Sequence, residues 1–202
     1  SKISLLIVDE AHCISDWGHD FRPDYMRIKS IISGLPSNTP FIATTATAND
    51  RVMQDVVSQF GGDIEVLRGN LARTSLHLDA RVLPSQEARL AFLAQEIPNM
   101  FSSGIIYTST IRQSHRIARW LQSQGIRAEA YHSNLKSEEK IHIENRLLND
   151  DIKVAVATTA LSMGFDKPNL GFVFHFNTPQ STVHYYQQVG RAGRALPKAF
   201  GV

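Results

Sequence analysis

The stretch LLIVDEAHCISDWGHDFRPDY, residues 5–25, joins an apolar run to two adjacent carboxylates, Asp9 and Glu10. A loop crowded with Trp17, His19, Phe21, Arg22 and Tyr25 follows at once. Leu5–Val8 reads as a core strand. A core strand seldom ends in paired acids unless something cationic waits there. Ligands of open α/β sheets gather at the carboxyl ends of strands. There one acid can hold Mg²⁺, directly or through water, while a second polarises the water that attacks a nucleotide. A solvated strand terminus is the plain alternative for an Asp-Glu pair. Asp9-Glu10-Ala11-His12 with its neighbours favours the chemical one.

Outward from that stretch, short apolar runs alternate with amphipathic segments, the pattern of βα units and a mostly parallel sheet. Strands are expected at Leu5–Val8, Phe41–Thr44, Ile64–Leu67, Ser75–Arg81, Gly104–Thr108, Arg127–Tyr131, Lys153–Ala157 and Phe172–Phe176. Helices are expected at Tyr25–Ser33, Asn49–Phe60, Gln86–Glu96, Ile111–Gln124, Ser137–Leu148 and Thr182–Val189. Ser137 followed by Glu138 and Glu139 opens a helix well, and Gly125 suits a helix end. The pattern restarts near Gly69–Thr74. Residues 1–72 hold too few strands for a complete doubly wound domain and read as the second half of one. Residues 73–202 approach a full α/β domain, with the last strand expected to be cut short after Ala199-Phe200-Gly201-Val202.

The 202 residues are 43% hydrophobic and 20% charged, an ordinary globular balance, and the formal net charge is only +2. Any nucleic-acid contact must therefore come from local patches. One cysteine, Cys13, excludes an internal disulfide and a cysteine-based zinc site and fits a reducing intracellular compartment. The longest apolar runs are strand-length, too short to span a membrane. The chain opens directly into an expected strand, so a signal peptide is not expected, and residue 1 is not expected to be the natural start.

Several stretches carry chemistry. Thr45-Ala46-Thr47-Ala48 follows a strand, where small hydroxyls can link a phosphate site to a neighbouring surface; an ordinary N-cap before Asn49 is the alternative. HYYQQVGRAGRA (184–195) sets Arg191 and Arg194 three residues apart between glycines. Such arginines can stabilise charge on a transferred phosphoryl group, and a basic surface turn is the alternative. In ATTALSMGFDKPN (157–169), Thr158, Thr159, Ser162 and Gly164 can approach phosphate oxygens and Asp166 a ribose hydroxyl, or the segment is simply a turn closed by Pro168. Trp17, His19, Phe21 and Arg22 suit base stacking and phosphate contact, or pack as a satellite core. Arg112, Arg116 and Arg119 recur at helical spacing with no acid between Ser102 and Arg127, a face for a phosphodiester backbone or a merely solvated one. His132 follows a strand in AYHSNL (130–135), where it can donate to a phosphate or rest as a satisfied loop histidine.

Taken in order, these stretches resemble the RecQ family of superfamily-two DNA helicases. VDEAHCISDWGHDFRPDY resembles the family's Walker B box with the aromatic-rich loop after it. TATA resembles motif III, IIYTST (105–110) motif IV, ATTALSMGFDKPN motif V and YYQQVGRAGR motif VI. The resemblance implies an α/β fold of two RecA-like parallel-sheet domains, the first present only as its C-terminal half, with ATP between them and DNA across them. It implies that Asp9 serves Mg²⁺, that Glu10 serves the catalytic water and that His12 couples the ATP site to DNA. Trp17, His19, Phe21 and Arg22 would sense single-stranded DNA, and Gln187, Arg191 and Arg194 would order the nucleotide site, with Arg194 the arginine finger. Thr45, Asp166, Arg112, His132 and Thr158 complete the expected nucleotide and DNA contacts. The family moves 3′ to 5′ on DNA, and single-stranded DNA and duplex junctions are the expected partners, in the cytoplasm (on the nucleoid, if bacterial) or the nucleus.

Three departures stand out. Asp16 replaces the family's usual glutamine, no Asp-Gly follows Arg194, and no Gly-Lys dipeptide occurs anywhere, so the phosphate-binding P-loop is missing. The expectation is a helicase represented by its motif II to motif VI segment, inactive on its own. A non-catalytic DNA- or partner-binding module and an RNA helicase of the same superfamily are the alternatives.

Overall fold

The computed structural model describes residues 3–15, 22–36, 39–46, 48–61, 64–69, 72–161 and 165–202. The chain divides into two compact units, residues 1–70 and 71–202.

In the first unit, β1 (Leu6–Val8) pairs in parallel with β2 (Phe41–Ala43), Val8 beside Ala43. Successive side chains of a strand face opposite ways. Leu6, Val8, Phe41 and Ala43 therefore turn to one side, where they meet Ile28 and Ile32 of α1 (Met26–Ser33) and Val52 and Val56 of α2 (Asp50–Gln59). Ile7 and Ile42, paired in register, face the other way and stay 60% and 49% exposed. The Asn49 side chain caps α2 by accepting from the Val52 N–H at 2.9 Å.

The second unit is a six-stranded, all-parallel sheet in the order β3-β8-β7-β4-β6-β5. Its strands are β3 (Leu76–Leu78), β4 (Gly104–Tyr107), β5 (Ala128–Tyr131), β6 (Val154–Ala157), β7 (Phe172–His175) and β8 (Ala199–Gly201). Alternation along the three central strands sorts the core into two layers. Ile106, Val154, Val156, Phe172 and Phe174 pack with Leu90 and Leu93 of α3 (Gln86–Glu96) and Ile117, Ala118 and Leu121 of α4 (Ile111–Ser123). Ile105, Tyr107, Ala155, Ala157 and Val173 pack with Ile143 and Leu147 of α5 (Ser137–Leu148) and Val189 of α6 (Thr182–Val189). Strands covered on both faces read as unbroken apolar runs, which is what GIIY, VAVA and FVF are. Side chains of Ser85, Thr110 and Ser181 cap α3, α4 and α6 by accepting N–H groups three residues on. For α5 it is the Glu139 carboxylate that takes the Lys136 N–H, at 2.8 Å.

One expected strand is absent. Ile64–Leu67 makes no ladder; only Ile64 joins the first unit's core, Leu67 is 85% exposed, and Arg68 ties the segment to α2 through Asp50 at 2.6 Å. The run pairs with neither edge of the two-stranded sheet, and apolarity alone does not make a strand. The strand expected over Ser75–Arg81 keeps three residues. Beyond it the Asp79 N–H still reaches the Gly201 carbonyl, but the Asp79 carboxylate turns to the Ala80 N–H and Arg81.

Candidate functional site

In the first unit the register of β1 and β2 assembles the site. Because Val8 lies beside Ala43, the next residues, Asp9 and Thr44, come together. The Thr44 hydroxyl donates to Asp9 Oδ1 at 2.6 Å and the Glu10 N–H donates to the same oxygen at 2.9 Å. These two bonds, Thr44 first, hold the Asp9 carboxyl below its ordinary range against a smaller opposing effect of burial. Backbone ties brace the corner: the Thr44 N–H donates to Val8 and the Ala11 N–H to Thr44, both at 2.9 Å. Glu10 lies in the left-handed region at φ 50°, a conformation that costs a non-glycine residue about 1 kcal/mol. Strain of this kind gathers at functional sites.

After Glu10 the chain makes a short 3₁₀ turn, Ala11–Ile14, every residue of it buried. It packs with Val52 and Val56 of α2, so His12 is fixed in place. His12 Nδ1 lies 2.9 Å from Thr45 Oγ1 and 3.3 Å from a Glu10 carboxylate oxygen. One buried imidazole thus joins the acid pair to the hydroxyls after β2. The Tyr25 hydroxyl reaches the Asp9 carbonyl at 3.4 Å, and the Arg22 N–H donates to Cys13 at 2.9 Å. Asp9 is an exposed, ionised oxygen donor whose other oxygen, Oδ2, makes no hydrogen bond among the described residues; such a group fits Mg²⁺, a hard cation that keeps most of its waters. Asp16, Trp17, His19, Phe21 and Thr47 lie outside the described residues.

In the second unit a cavity of about 80 Å³ opens at the carboxyl ends of β4, β6 and β7, lined among others by Thr108, Thr158, His175, His184 and Gln188. Strand order reverses about β4, and such reversals are where α/β sheets bind ligands. His175 Nε2 meets Gln188 Oε1 at 2.8 Å, and its ring stacks on Tyr107. Burial lowers the His175 imidazole, with the Gln188 contact acting the other way.

Arg191 donates to the Phe165 carbonyl. It also lies near Tyr107, whose phenol burial pushes up to about 12 with the guanidinium acting the other way. Arg194 pairs with Asp166 at 2.9 Å. Two residues expected to meet the nucleotide therefore meet each other. Just past Asp166, Lys167 is buried and bridges the Leu148 carbonyl (2.9 Å) and Asp150 (3.2 Å), anchoring the loop. Gln187 is half-buried on α6. Arg112 and Arg116 share a shallow depression with Ser109, Thr110 and Asn177. His132 is only 5% exposed, its Nε2 2.8 Å from Nε2 of His115 on α4. Ser162 and Gly164 lie outside the described residues.

Thr44, Gln188 and His115 are the contacts that sequence reasoning missed. Thr44 becomes visible once β1 and β2 are taken as parallel neighbours in register. Nothing local marks the other two.

Two family models match the chain: the helicase conserved C-terminal domain over residues 88–196 and the DEAD/DEAH box helicase over residues 1–56. Among curated proteins it is 38% identical to ATP-dependent DNA helicase Q5 of Rattus norvegicus, over 95% of this chain and 21% of that protein. It is 37% identical to ATP-dependent DNA helicase RecQ of Pasteurella multocida, over 96% of this chain and 30% of that protein. The RecQ of Bacillus subtilis is also 37% identical, over 95% of this chain and 32% of the relative. The chain thus spans a fifth to a third of these relatives. Among solved structures, S. cerevisiae Dbp5 bound to RNA and ADP BeF3 superposes with a TM-score of 0.75 at 21% identity, over 98% of this chain and 52% of that one. Mycobacterium smegmatis Lhr bound to ssDNA and AMP-PNP does so with a TM-score of 0.74 at 20% identity, over 98% of this chain and 28% of that one. At that identity the likeness concerns the fold, a RecA-like helicase architecture.

Proposed function

This chain belongs to the helicase conserved C-terminal domain family, and we propose that it is the motor segment of an ATP-dependent DNA helicase of RecQ type. The observation that carries the reading is the strand-end pair of acids, with the Asp9 carboxylate held by the Thr44 hydroxyl and Glu10 joined through His12 to Thr45. A surface turn needs no such lattice, whereas hydrolysis of a nucleotide needs an ionised metal-binding carboxylate beside a second one that can take a proton.

Asp9 holds Mg²⁺, directly or through water; the ion, when bound, supplies positive charge to the phosphates. Glu10 orients the attacking water and accepts its proton. Arg191 and Arg194 stabilise the charge that develops on the γ-phosphoryl group, Arg194 as the finger once it exchanges Asp166 for phosphate. Gln187 orders that loop. Thr45 and His12 pass the state of the nucleotide to the DNA side, where Trp17, His19, Phe21 and Arg22 read single-stranded DNA. Arg112, Thr158 and His132 follow its backbone. Movement is 3′ to 5′ on single strands and junctions, on the nucleoid or in the nucleus. Residues 1–202 contain no Gly-Lys dipeptide and so no P-loop, and alone they turn over no ATP.

The test is ATP hydrolysis by the full-length protein. Single-stranded DNA should stimulate it more than RNA does, and Glu10→Gln should lower kcat by about 10²–10⁴-fold. Equal stimulation by RNA overturns the DNA assignment. Undiminished turnover in Glu10→Gln overturns the chemistry. DNA-stimulated turnover by the 202-residue chain itself, abolished by Glu10→Gln, overturns its inactivity.

A further inference from the structure

The loop carrying Arg191 and Arg194 begins where α6 ends. The last carbonyls of a helix have no partner within it and sit at the negative end of its dipole. Here a cation from far away in the chain takes them. Arg73 Nη1 donates to the Gly190 carbonyl at 2.8 Å and reaches the Ala192 carbonyl at 3.4 Å. Two residues on, the Ser75 hydroxyl donates to the Gly193 carbonyl at 3.0 Å. Gly193 has φ +71°, and a Cβ there would come within 2.9 Å of the Ala199 Cβ and 3.2 Å of Ser75 Oγ, so only glycine fits where the loop passes Ser75. Three carbonyls flanking Arg191 are thus claimed by side chains at the very start of the second unit. The Ser75 carbonyl in turn takes the Ala199 N–H of β8 at 2.8 Å, so the tether is itself fixed to the sheet.

The loop has backbone anchors as well, from the Gly193 N–H to Leu170 and the Ala195 N–H to Pro168. Those lie on the far side of Arg191 along the chain; at the helix end the Arg191 and Ala192 N–H groups donate to the Gln188 and Val189 carbonyls, at 3.3 and 3.0 Å, and the Gly190 carbonyl is left to Arg73. A planar, multi-donor guanidinium can take two carbonyls at once, and an ammonium takes them less well.

We propose that Arg73, seconded by Ser75, is a positioning residue for the arginine loop, holding the backbone at 190–193 so that Arg191 and Arg194 meet the nucleotide in one register. The proposal rests on the reading of those arginines as phosphate-facing. It makes the opening residues of the second unit part of the machinery for phosphoryl transfer.

The experiment uses the full-length protein and the variants Arg73→Ala, Arg73→Lys and Ser75→Ala. Limited trypsinolysis followed by mass spectrometry reads the tether without reference to activity. Cleavage after Arg191 and Arg194 should quicken about tenfold in Arg73→Ala, because protease reports the open population. In DNA-stimulated hydrolysis, kcat should fall about tenfold with KM for ATP within about twofold, since misplacement spares ground-state binding. Arg73→Lys should recover part of both. In an Arg194→Ala background, Arg73→Ala should change kcat less than about twofold, since two residues acting as one unit do not add. Unchanged cleavage overturns the tether. Full, multiplying losses in the double variant, or loss through KM alone, overturn the positioning role and leave a merely structural one. If Arg194→Ala itself turns over normally, the reading of the arginines fails, while the proteolysis result still decides the tether.

Discussion

At the end of β1 one hydroxyl governs one carboxylate. Thr44 is the largest cause of the low Asp9 carboxyl, and Thr44→Val keeps the shape while deleting the bond. A carboxylate whose folded pKa lies below the unfolded value adds stability above the unfolded value, and that contribution is lost as pH falls through the folded one. Thr44→Val should therefore lower stability at pH 7 by on the order of 1 kcal/mol, since the site is exposed and screened. The difference from the parent should shrink as pH falls below the ordinary carboxylate range in urea titrations. His132 works with the same sign. Burial first, then the neighbouring His115, lowers its imidazole; Glu139 opposes and Lys140 assists. The neutral form favours the fold, so stability falls as pH drops below about 6.5, and His132→Asn should flatten that slope. An equally steep slope in the variant would overturn the assignment. Asp9, Glu10 and His12 were legible because chemistry marks them in their own stretch. Thr44, and the pairing of Asp166 with Arg194, were not, because they depend on which strand ends and loops come together.

Elements were legible wherever their apolar period was backed by a cap. Helices α3, α5 and α6 begin and end where Gln86–Glu96, Ser137–Leu148 and Thr182–Val189 were expected, each opened by a polar side chain. Gly125 terminates α4 at φ +77°, as its place after Gln124 suggested. Strand ends were less legible, since a strand stops where its neighbour does; Ile64–Leu67 has the composition of a strand but pairs with neither β1 nor β2. The glycine that matters most inside an element is Gly104 at the start of β4. A Cβ there would fall 2.3 Å from the Phe172 ring on the adjacent strand, in a core of buried residues. Gly104→Ala should thus cost about 1–3 kcal/mol through overpacking. Gly125→Ala meets nothing within 4 Å and should cost only about 1 kcal/mol, from backbone strain alone. Chemical denaturation of the two variants should rank them in that order, and the reverse order would show that β4 and β7 can separate.

The two units differ in how much of themselves they cover. In the second, helices lie on both faces of a six-stranded sheet, and Ile105, Ile106, Val154 and Phe172 are fully buried. In the first, two strands bury one face, while Ile7, Ile42 and Leu5 stay largely exposed. Parallel sheets ordinarily need cover on both faces, and two strands are marginal by themselves. The 202-residue chain should therefore lose structure in two steps. Hydrogen exchange in β1, β2 and α2 should be protected far less than in β4, β6 and β7. Urea should release the first unit well before the second, because local stability follows the density of buried apolar contacts. Coincident transitions by exchange and by far-ultraviolet circular dichroism would overturn this and make the molecule a single cooperative block. The outcome bears on chemistry. Asp9, Glu10 and His12 belong to the unit expected to open first, and Arg191 and Arg194 to the one expected to persist. If the first unit opens readily, the strained Glu10 corner relaxes with it, and the Asp9–Thr44 and His12–Thr45 contacts part long before the Arg191–Phe165 and Arg194–Asp166 contacts do.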